Sequence, residues 1–107
     1  MPIIRAAETK TAPAWADFAD WGVSNMPDGQ HVERHFHDAH EFVLIVSGRV
    51  RVITEGATTD LGPGDSVFTK MGDEHEWIAM EPSVAIWALS RLMGRKRPGY
   101  LFRGRDD

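Results

Sequence analysis

The sequence HFHDAHE, residues 35–41, is the most informative part of this 107-residue chain. If the preceding residues form a strand, His35 and His37 project from one face, because side chains alternate with a period of two along a strand. A short polar bend then brings Glu41 to the start of the apolar run 42–46. Imidazole nitrogens and a carboxylate oxygen suit a divalent metal such as Zn, Fe, Mn, Ni or Cu. The stretch therefore predicts a metal site.

Two glycines frame this stretch at fixed distances. Gly29, five residues, His35-x-His37, three residues, Glu41, six residues and Gly48 follow one another without a gap. This spacing reproduces the first sequence motif of the cupin superfamily, and the chain resembles a small single-domain cupin, or monocupin. The resemblance implies an all-β fold, the double-stranded β-helix or jelly-roll barrel of the cupins.

A second stretch, residues 64–79, resembles the second cupin motif. It begins with Gly-Asp and has Gly72, two residues and His75 in register, although Lys70 replaces the usual proline and Ala79 the usual asparagine. Both departures leave the ligand positions intact. Carried over residue by residue, the resemblance implies one divalent transition metal (Mn, Fe, Ni, Cu or Zn) at the mouth of the barrel, held by His35, His37, Glu41 and His75.

The strand that carries the first two histidines is expected over residues 30–37. Strict alternation would place His31, Glu33, His35 and His37 on the inner face. Glu33 would then be either a partner that orients a metal-bound imidazole or a carboxylate at the solvent-facing rim.

Other polar and aromatic residues complete the predicted site. Trp77 shares the phase of His75 and is interpreted either as a pocket wall or as a core tryptophan. Glu33 and Trp77 are thus the candidate catalytic-site residues. Candidates for the acid or base of a reaction, chosen by proximity in the sequence, are Glu33, Glu74, Glu76 and Tyr100.

The chain is expected to form one domain over residues 1–107. Apart from the two motifs at 29–48 and 64–79, it has an N-terminal arm at 1–25 and a C-terminal tail at 91–107. The tail holds six Lys and Arg against two Asp, and its simplest interpretation is a solvated end. Roughly nine short strands and no long helix fit an all-β barrel.

Two N-terminal segments carry further strand and helix predictions. Residues 2–5 are predicted as a first strand. Residues 14–21 are either a helical turn or an irregular apolar segment, since Trp15, Phe18 and Trp21 recur every three residues.

Composition excludes several classes of partner. A net charge of −4 argues against nucleic acid, and the absence of cysteine excludes disulfides and thiol chemistry. No segment reads as a signal peptide or a membrane span, so the cytoplasm is the expected location. Apolar residues outside the motifs predict a homodimer: Ile3, Ile4, Trp15, Phe18 and Trp21.

The resemblance also sets the expected activity. It implies a metal-dependent enzyme that acts on a small oxygenated organic substrate, with dioxygenase or decarboxylase chemistry first. An isomerase or cyclase that uses the metal as a Lewis acid remains open. So does a small-ligand-binding sensor cupin, with or without a metal, which would need a partner chain because this chain has no DNA-binding segment.

Overall fold

The structure, a computed structural model, describes all residues from 1 to 107. It has eight strands and no helix: β1 (Asp20–Met26), β2 (His31–His35), β3 (Glu41–Ser47), β4 (Val50–Thr54), β5 (Ala57–Leu61), β6 (Ser66–Thr69), β7 (His75–Ala79) and β8 (Ser83–Leu89). The prediction of a strand at residues 2–5 is wrong, because this segment pairs with no other strand. Residues 14–19 are irregular, with a turn and bends but no helix, and the next two residues of the predicted segment begin β1. The chain contains no helix that could cross a membrane.

The eight strands form two four-stranded antiparallel sheets. The first sheet has the order β1-β8-β3-β6 and the second has the order β2-β7-β4-β5. Consecutive strands alternate between the sheets for much of the chain, which is the connectivity of a jelly roll. The all-β, jelly-roll fold predicted from the sequence is confirmed.

The core lies between the inner faces of the two sheets. Val50 and Val52 of β4 are 0% and 2% exposed, whereas Arg51 between them pairs with Asp60 of β5 at 2.8 Å on the outer surface. The prediction that the valines face inward and the arginines outward is therefore confirmed for this strand. Core side chains from both sheets pack together between them: Met26, Val43, Ile45, Val50, Val52, Trp77, Ala79 and Ala85.

A bulge interrupts β2 just before the first histidine of the motif. Val32 pairs with Trp77 and His35 with His75, so three steps along β2 oppose two steps along β7. The extra residue reverses the phase of the strand. His31 and Glu33 are consequently exposed, and the prediction that they face inward with the metal-site histidines is wrong.

The C-terminal tail folds back against the first motif. Leu101 is 5% exposed and forms an antiparallel bridge with Phe36. Asp38 fixes the tail a second time, because its carboxylate accepts a hydrogen bond from the backbone N–H of Arg97 at 2.9 Å. The tail is therefore not simply a solvated end, since it covers one side of the barrel mouth.

Candidate metal centre

Three histidines meet at the mouth of the barrel. His35 ends β2, His37 follows two residues later, and His75 begins β7 directly opposite His35. Their ring centroids are 4.3–5.3 Å apart, and the three side chains are nearly inaccessible to solvent. The bulge in β2 is what turns His35 inward, and the strand pairing then sets His75 beside it.

Backbone carbonyls fix the orientation of all three rings. The Nδ1 of His35 lies 2.6 Å from the carbonyl oxygen of Glu33, and the Nδ1 of His37 lies 3.0 Å from that of Gly99. The Nδ1 of His75 is 3.2 Å from the carbonyl oxygen of Asp73. A carbonyl oxygen can only accept, so each Nδ1 carries the proton and donates. Each Nε2 is then a free lone pair, which is the form of histidine that binds a metal.

Glu41 closes the site from the other sheet. It is the first residue of β3, and its two carboxylate oxygens lie 3.5 Å from the Nε2 of His37 and 3.3 Å from the Nε2 of His75. Neither Nε2 has a hydrogen-bond partner, although both are buried. The carboxylate oxygens and the Nε2 lone pairs are all hydrogen-bond acceptors, so they cannot satisfy one another. Buried polar atoms without a partner are rare in folded proteins. A cation among these four side chains would satisfy all of them.

Burial keeps His35 and His37 neutral, as metal binding requires. Loss of hydration lowers the pKa of His35 from 6.5 to about 4, against a smaller opposing effect of its hydrogen bond to Glu33. Burial also lowers the pKa of His37, and the negative charge of Glu41 offsets part of that shift. At neutral pH these two imidazoles offer lone pairs and carry no charge that would repel a metal ion.

The donor set fits a divalent transition metal. Three ligand atoms of the histidine cluster lie within 4.8 Å of one another, and a carboxylate stands beside them. Three neutral nitrogens and one anionic oxygen suit Zn, Fe, Mn, Ni or Cu better than Ca or Mg, which prefer all-oxygen sites. The cluster is therefore a candidate metal site, and its chemistry does not select among those five metals.

A cavity of about 350 Å³ opens onto the metal-site histidines. Its volume is at the lower end of the roughly 300–1,000 Å³ that small-molecule sites occupy. Its walls are mainly apolar side chains of both sheets, Met26, Val32, Val43, Trp77, Ala85, Trp87 and Leu89. The polar groups in the lining, apart from the ligand set, are Asp20, Ser24 and Tyr100. The space suits a small, partly apolar molecule.

The structure places one of the four candidate acids or bases in the cavity and the other three outside it. The carboxylate of Glu33 is exposed, so its backbone carbonyl, and not its side chain, orients His35. Glu76 faces outward and pairs with His31 at 2.6 Å. Glu74 lies in a separate polar groove. Of the four, Tyr100 lines the cavity, with its ring centroid 4.1 Å from that of His35.

Tyr100 stands in the cavity as a neutral phenol. Burial raises its pKa above 10, and the charge of Glu41 adds to the shift. A neutral phenol at the edge of the site can donate a proton or a hydrogen bond to a bound molecule. Trp77, the other predicted site residue, is 7% exposed and forms part of the cavity wall beside His75.

Sequence reasoning missed the contributions of β1 and of the tail backbone. Asp20 and Ser24 line the cavity from β1, which the resemblance did not assign to the site. The carbonyl of Gly99 holds His37 from 62 residues away. A backbone carbonyl leaves no signal in a sequence, and the Phe36–Leu101 bridge and the hydrogen bond from Arg97 to Asp38 bring it into position.

Comparison with known proteins agrees with this fold. A family model described as "Cupin domain" matches residues 22–90, which is more than half of the chain. The uncharacterized protein y4oW of Sinorhizobium fredii (strain NBRC 101917 / NGR234) is 29% identical over 79 residues. That match covers 73% of this chain and 37% of y4oW, so the chain spans well under half the length of this relative.

Two solved structures extend the comparison. The DMSP lyase DddQ from Ruegeria pomeroyi DSS-3 superposes with a TM-score of 0.70 and 26% identity, covering 86% of this chain and 46% of DddQ. KdgF from Halomonas sp. superposes with a TM-score of 0.63 and 25% identity, covering 78% of this chain and 74% of KdgF. The fold, the two motifs and the family match define a cupin. This chain belongs to the cupin family.

Proposed function

We propose that this cupin is a metal-dependent enzyme that acts on a small oxygenated organic molecule. The cluster of three buried histidines beside the carboxylate of Glu41, with the Nε2 atoms of His37 and His75 left without hydrogen-bond partners, carries the proposal. The Nδ1 of each histidine is hydrogen-bonded to the backbone carbonyl of a different residue. The Nε2 lone pairs are therefore oriented before a metal binds. We propose His35, His37, Glu41 and His75 as its ligands.

The metal would supply Lewis acidity toward an oxygen of the substrate. Three neutral histidines and one carboxylate would leave about one positive charge on a divalent ion, and an octahedral ion would keep two positions open. A purely structural zinc site is usually closed by four ligands and would gain nothing from an adjoining cavity. The open cavity beside the ligands is what favours an enzyme.

The residues of the chain have separate roles in this proposal. The apolar walls, including Trp77 and Trp87, would hold the carbon skeleton and exclude water from the reacting group. Tyr100 would donate a proton or hydrogen bond to the substrate from its position over His35. Glu41 has its two oxygens 3.3–3.5 Å from two histidine nitrogens and would neutralise part of the charge of the bound ion.

The groups that line the cavity indicate a class of reaction. A Lewis-acidic site with a phenolic proton donor in its cavity suits decarboxylation, elimination or isomerisation of a chelating acid. One of the compared structures, the DMSP lyase DddQ, supports lyase chemistry in this fold. Dioxygenase chemistry uses the same ligand set and differs by consuming oxygen.

The test is a screen for turnover with protein reconstituted separately with Mn, Fe, Ni, Cu or Zn. Small hydroxy, keto and dicarboxylic acids would be followed by proton NMR, carbon dioxide release and oxygen uptake. We expect turnover of at least one acid, loss of turnover in the double variant His35→Ala, His75→Ala, and a lower kcat with an unchanged metal content in Tyr100→Phe.

Glu74→Gln is the matched control, because its carboxylate was a sequence candidate but lies outside the cavity. It should leave kcat unchanged. Saturable binding of an acid without any turnover, across all five metals, would overturn the enzyme proposal. That result would establish the alternative, a ligand-binding sensor cupin.

A further inference from the structure

The cavity contains a second carboxylate at a distance from the candidate metal centre. Asp20, the first residue of β1, lines the cavity, and its side chain is 44% exposed. Its Oδ1 atom accepts a hydrogen bond from the backbone N–H of Trp21 at 2.9 Å and lies 2.8 Å from the Nζ of Lys10. Both contacts involve the same oxygen. The other oxygen, Oδ2, is therefore available as a hydrogen-bond acceptor for a molecule in the cavity.

Lys10, in the N-terminal arm, fixes the position of this carboxylate. Its ammonium also donates a hydrogen bond to the carbonyl oxygen of Trp21 and lies 5.0 Å from the ring centroid of Trp87, which is part of the cavity wall. These contacts hold the ammonium beside β1 and hold the carboxylate of Asp20 against it. The acceptor is thus oriented before a ligand binds, which lowers the entropic cost of binding.

Strand pairing aligns Asp20 with the metal site. Asp20 of β1 pairs with Leu89 of β8, and Leu89 pairs with Glu41 of β3. Residues paired directly across antiparallel strands project from the same face, and all three line the cavity. Two strand spacings of about 4.8 Å separate the backbones of Asp20 and Glu41 by about 10 Å. One ligand can therefore contact the metal site at one end and Asp20 at the other, with Leu89 beside its middle.

We infer that Asp20 binds a hydroxyl group of the substrate, at the end of the molecule that the metal does not hold. The inference rests on the proposed function, because it takes the chelated acid as the other end. A hydroxyl is a neutral donor and suits a carboxylate whose charge Lys10 compensates at 2.8 Å. A second ammonium in that place would be repelled by the ammonium of Lys10. The substrate class is therefore a hydroxy acid and not an amino acid.

The spacing sets the position of the hydroxyl along the substrate. A hydrogen bond of about 2.8 Å and a metal–oxygen bond of about 2.1 Å take up nearly half of the separation of about 10 Å. Roughly 5 Å remains between the two substrate oxygens, which corresponds to about four carbons joined by bonds of about 1.5 Å. An acid with its hydroxyl on the fourth carbon fits this distance.

Isothermal titration calorimetry tests the inference on the full chain, loaded with the metal that it retains, with butanoate, 4-hydroxybutanoate and 4-aminobutanoate as the probes. We expect the wild type to bind 4-hydroxybutanoate at least about tenfold more tightly than butanoate, because hydrogen bonds to charged groups are among the stronger ones. The wild type should bind 4-aminobutanoate no more tightly than butanoate. Asp20→Ala should abolish the preference for the hydroxyl and leave the affinity for butanoate unchanged.

Asp17→Ala is the matched control, because the side chain of Asp17 is 93% exposed and lies outside the cavity. It should keep the preference for 4-hydroxybutanoate. Lys10→Met is the second variant, and it removes the compensating charge. It should bind 4-aminobutanoate about threefold to fivefold more tightly than the wild type does, in keeping with an exposed ion pair. A merely structural role of Lys10 would not produce this change of selectivity.

Circular dichroism identifies the folded variants, and Lys10→Met decides the matter if Asp20→Ala does not fold. The inference would be overturned, without any effect on the proposed function, if the wild type bound butanoate and 4-hydroxybutanoate equally or if Asp20→Ala kept the preference. An unchanged affinity of Lys10→Met for 4-aminobutanoate would overturn it as well. If none of the three acids binds the metal-loaded chain, the proposed function fails, and the inference fails with it.

Discussion

Replacing Gly48 with alanine should cost this fold a large part of its stability. Gly48 lies in the turn between β3 and β4 with φ at +88°, a conformation that costs a residue with a side chain about 1–2 kcal/mol. An added Cβ would also lie 2.5 Å from the carbonyl oxygen of Pro82 and 2.7 Å from the Cα of Ser83. Both atoms belong to the backbone, so the β7–β8 turn itself would have to move.

The same methyl group would also disturb a hydrogen-bond cluster. The hydroxyl of Ser83 is buried, donates to the carbonyl oxygen of Glu81 at 2.8 Å and accepts from the backbone N–H of Arg49 at 3.1 Å. Overpacking typically costs about 1–3 kcal/mol, and the strain at φ adds to it. We therefore expect Gly48→Ala to lower the free energy of unfolding by about 4 kcal/mol, and Tm by about 15–25 °C.

Gly29 is the matched control for this experiment. Its φ is +80°, close to that of Gly48, but a Cβ there would meet nothing within 4 Å. Gly29→Ala should therefore cost only the conformational term, about 1–2 kcal/mol. Both variants would be unfolded in urea and by heat, after removal of metal with a chelator. Equal losses of stability in the two variants would refute the steric part of the reasoning.

Three further predictions concern the site. Gly22→Ala places a Cβ 2.8 Å from the ring of Trp87, so the indole, which forms part of the cavity wall, must shift; we expect weaker substrate binding, measured as a higher KM, with unchanged metal content. For metal-free protein, the unfolded chain protonates His35 between pH 6.5 and about 4 while the folded chain does not, so lowering the pH through this window should cost about 3 kcal/mol of unfolding free energy. Leu101→Ala should cost about 2–4 kcal/mol and, by loosening Tyr100 and the rest of the tail, weaken metal retention during dialysis.

Each of these predictions has a result that would contradict it. Gly62→Ala, where a Cβ meets nothing within 4 Å, is the control for Gly22→Ala, and equal KM values in the two variants would count against the displaced indole. If His35→Ala loses stability with falling pH as steeply as the wild type, His35 is not the titrating group. If Leu101→Ala keeps both its Tm and its metal, the tail does not support the site.

The ligand positions were predictable because they depend on local spacing. His35 and His37 stay on one face over two residues whatever the rest of the strand does. The position of Glu33 was not predictable, because the bulge that reverses its phase exists only through the pairing of β2 with β7. Because the period of two was extended across that bulge, Glu33 was predicted as a site residue although its carboxylate is exposed.

Long-range contacts account for the other differences. The tail looked like a solvated end because six basic residues dominate its composition. The buried Leu101 pairs with Phe36, Arg97 donates to Asp38, and these contacts place Gly99 and Tyr100 at the site. Strand β8 is apolar in both phases and reads as buried on both faces, yet Ile86 is 37% exposed. The outward side of this strand is therefore less buried than its apolar sequence indicates.

The central claim is that the three histidines and Glu41 hold one divalent transition metal. Elemental analysis by mass spectrometry tests it most directly, on protein purified without a chelator and without a histidine tag. We predict close to one Mn, Fe, Ni, Cu or Zn ion per chain, lost in the double variant His35→Ala, His75→Ala. The matched control removes the two exposed histidines, His31→Ala, His40→Ala, and should keep its metal. No metal after reconstitution, or equal metal in both double variants, would contradict the claim.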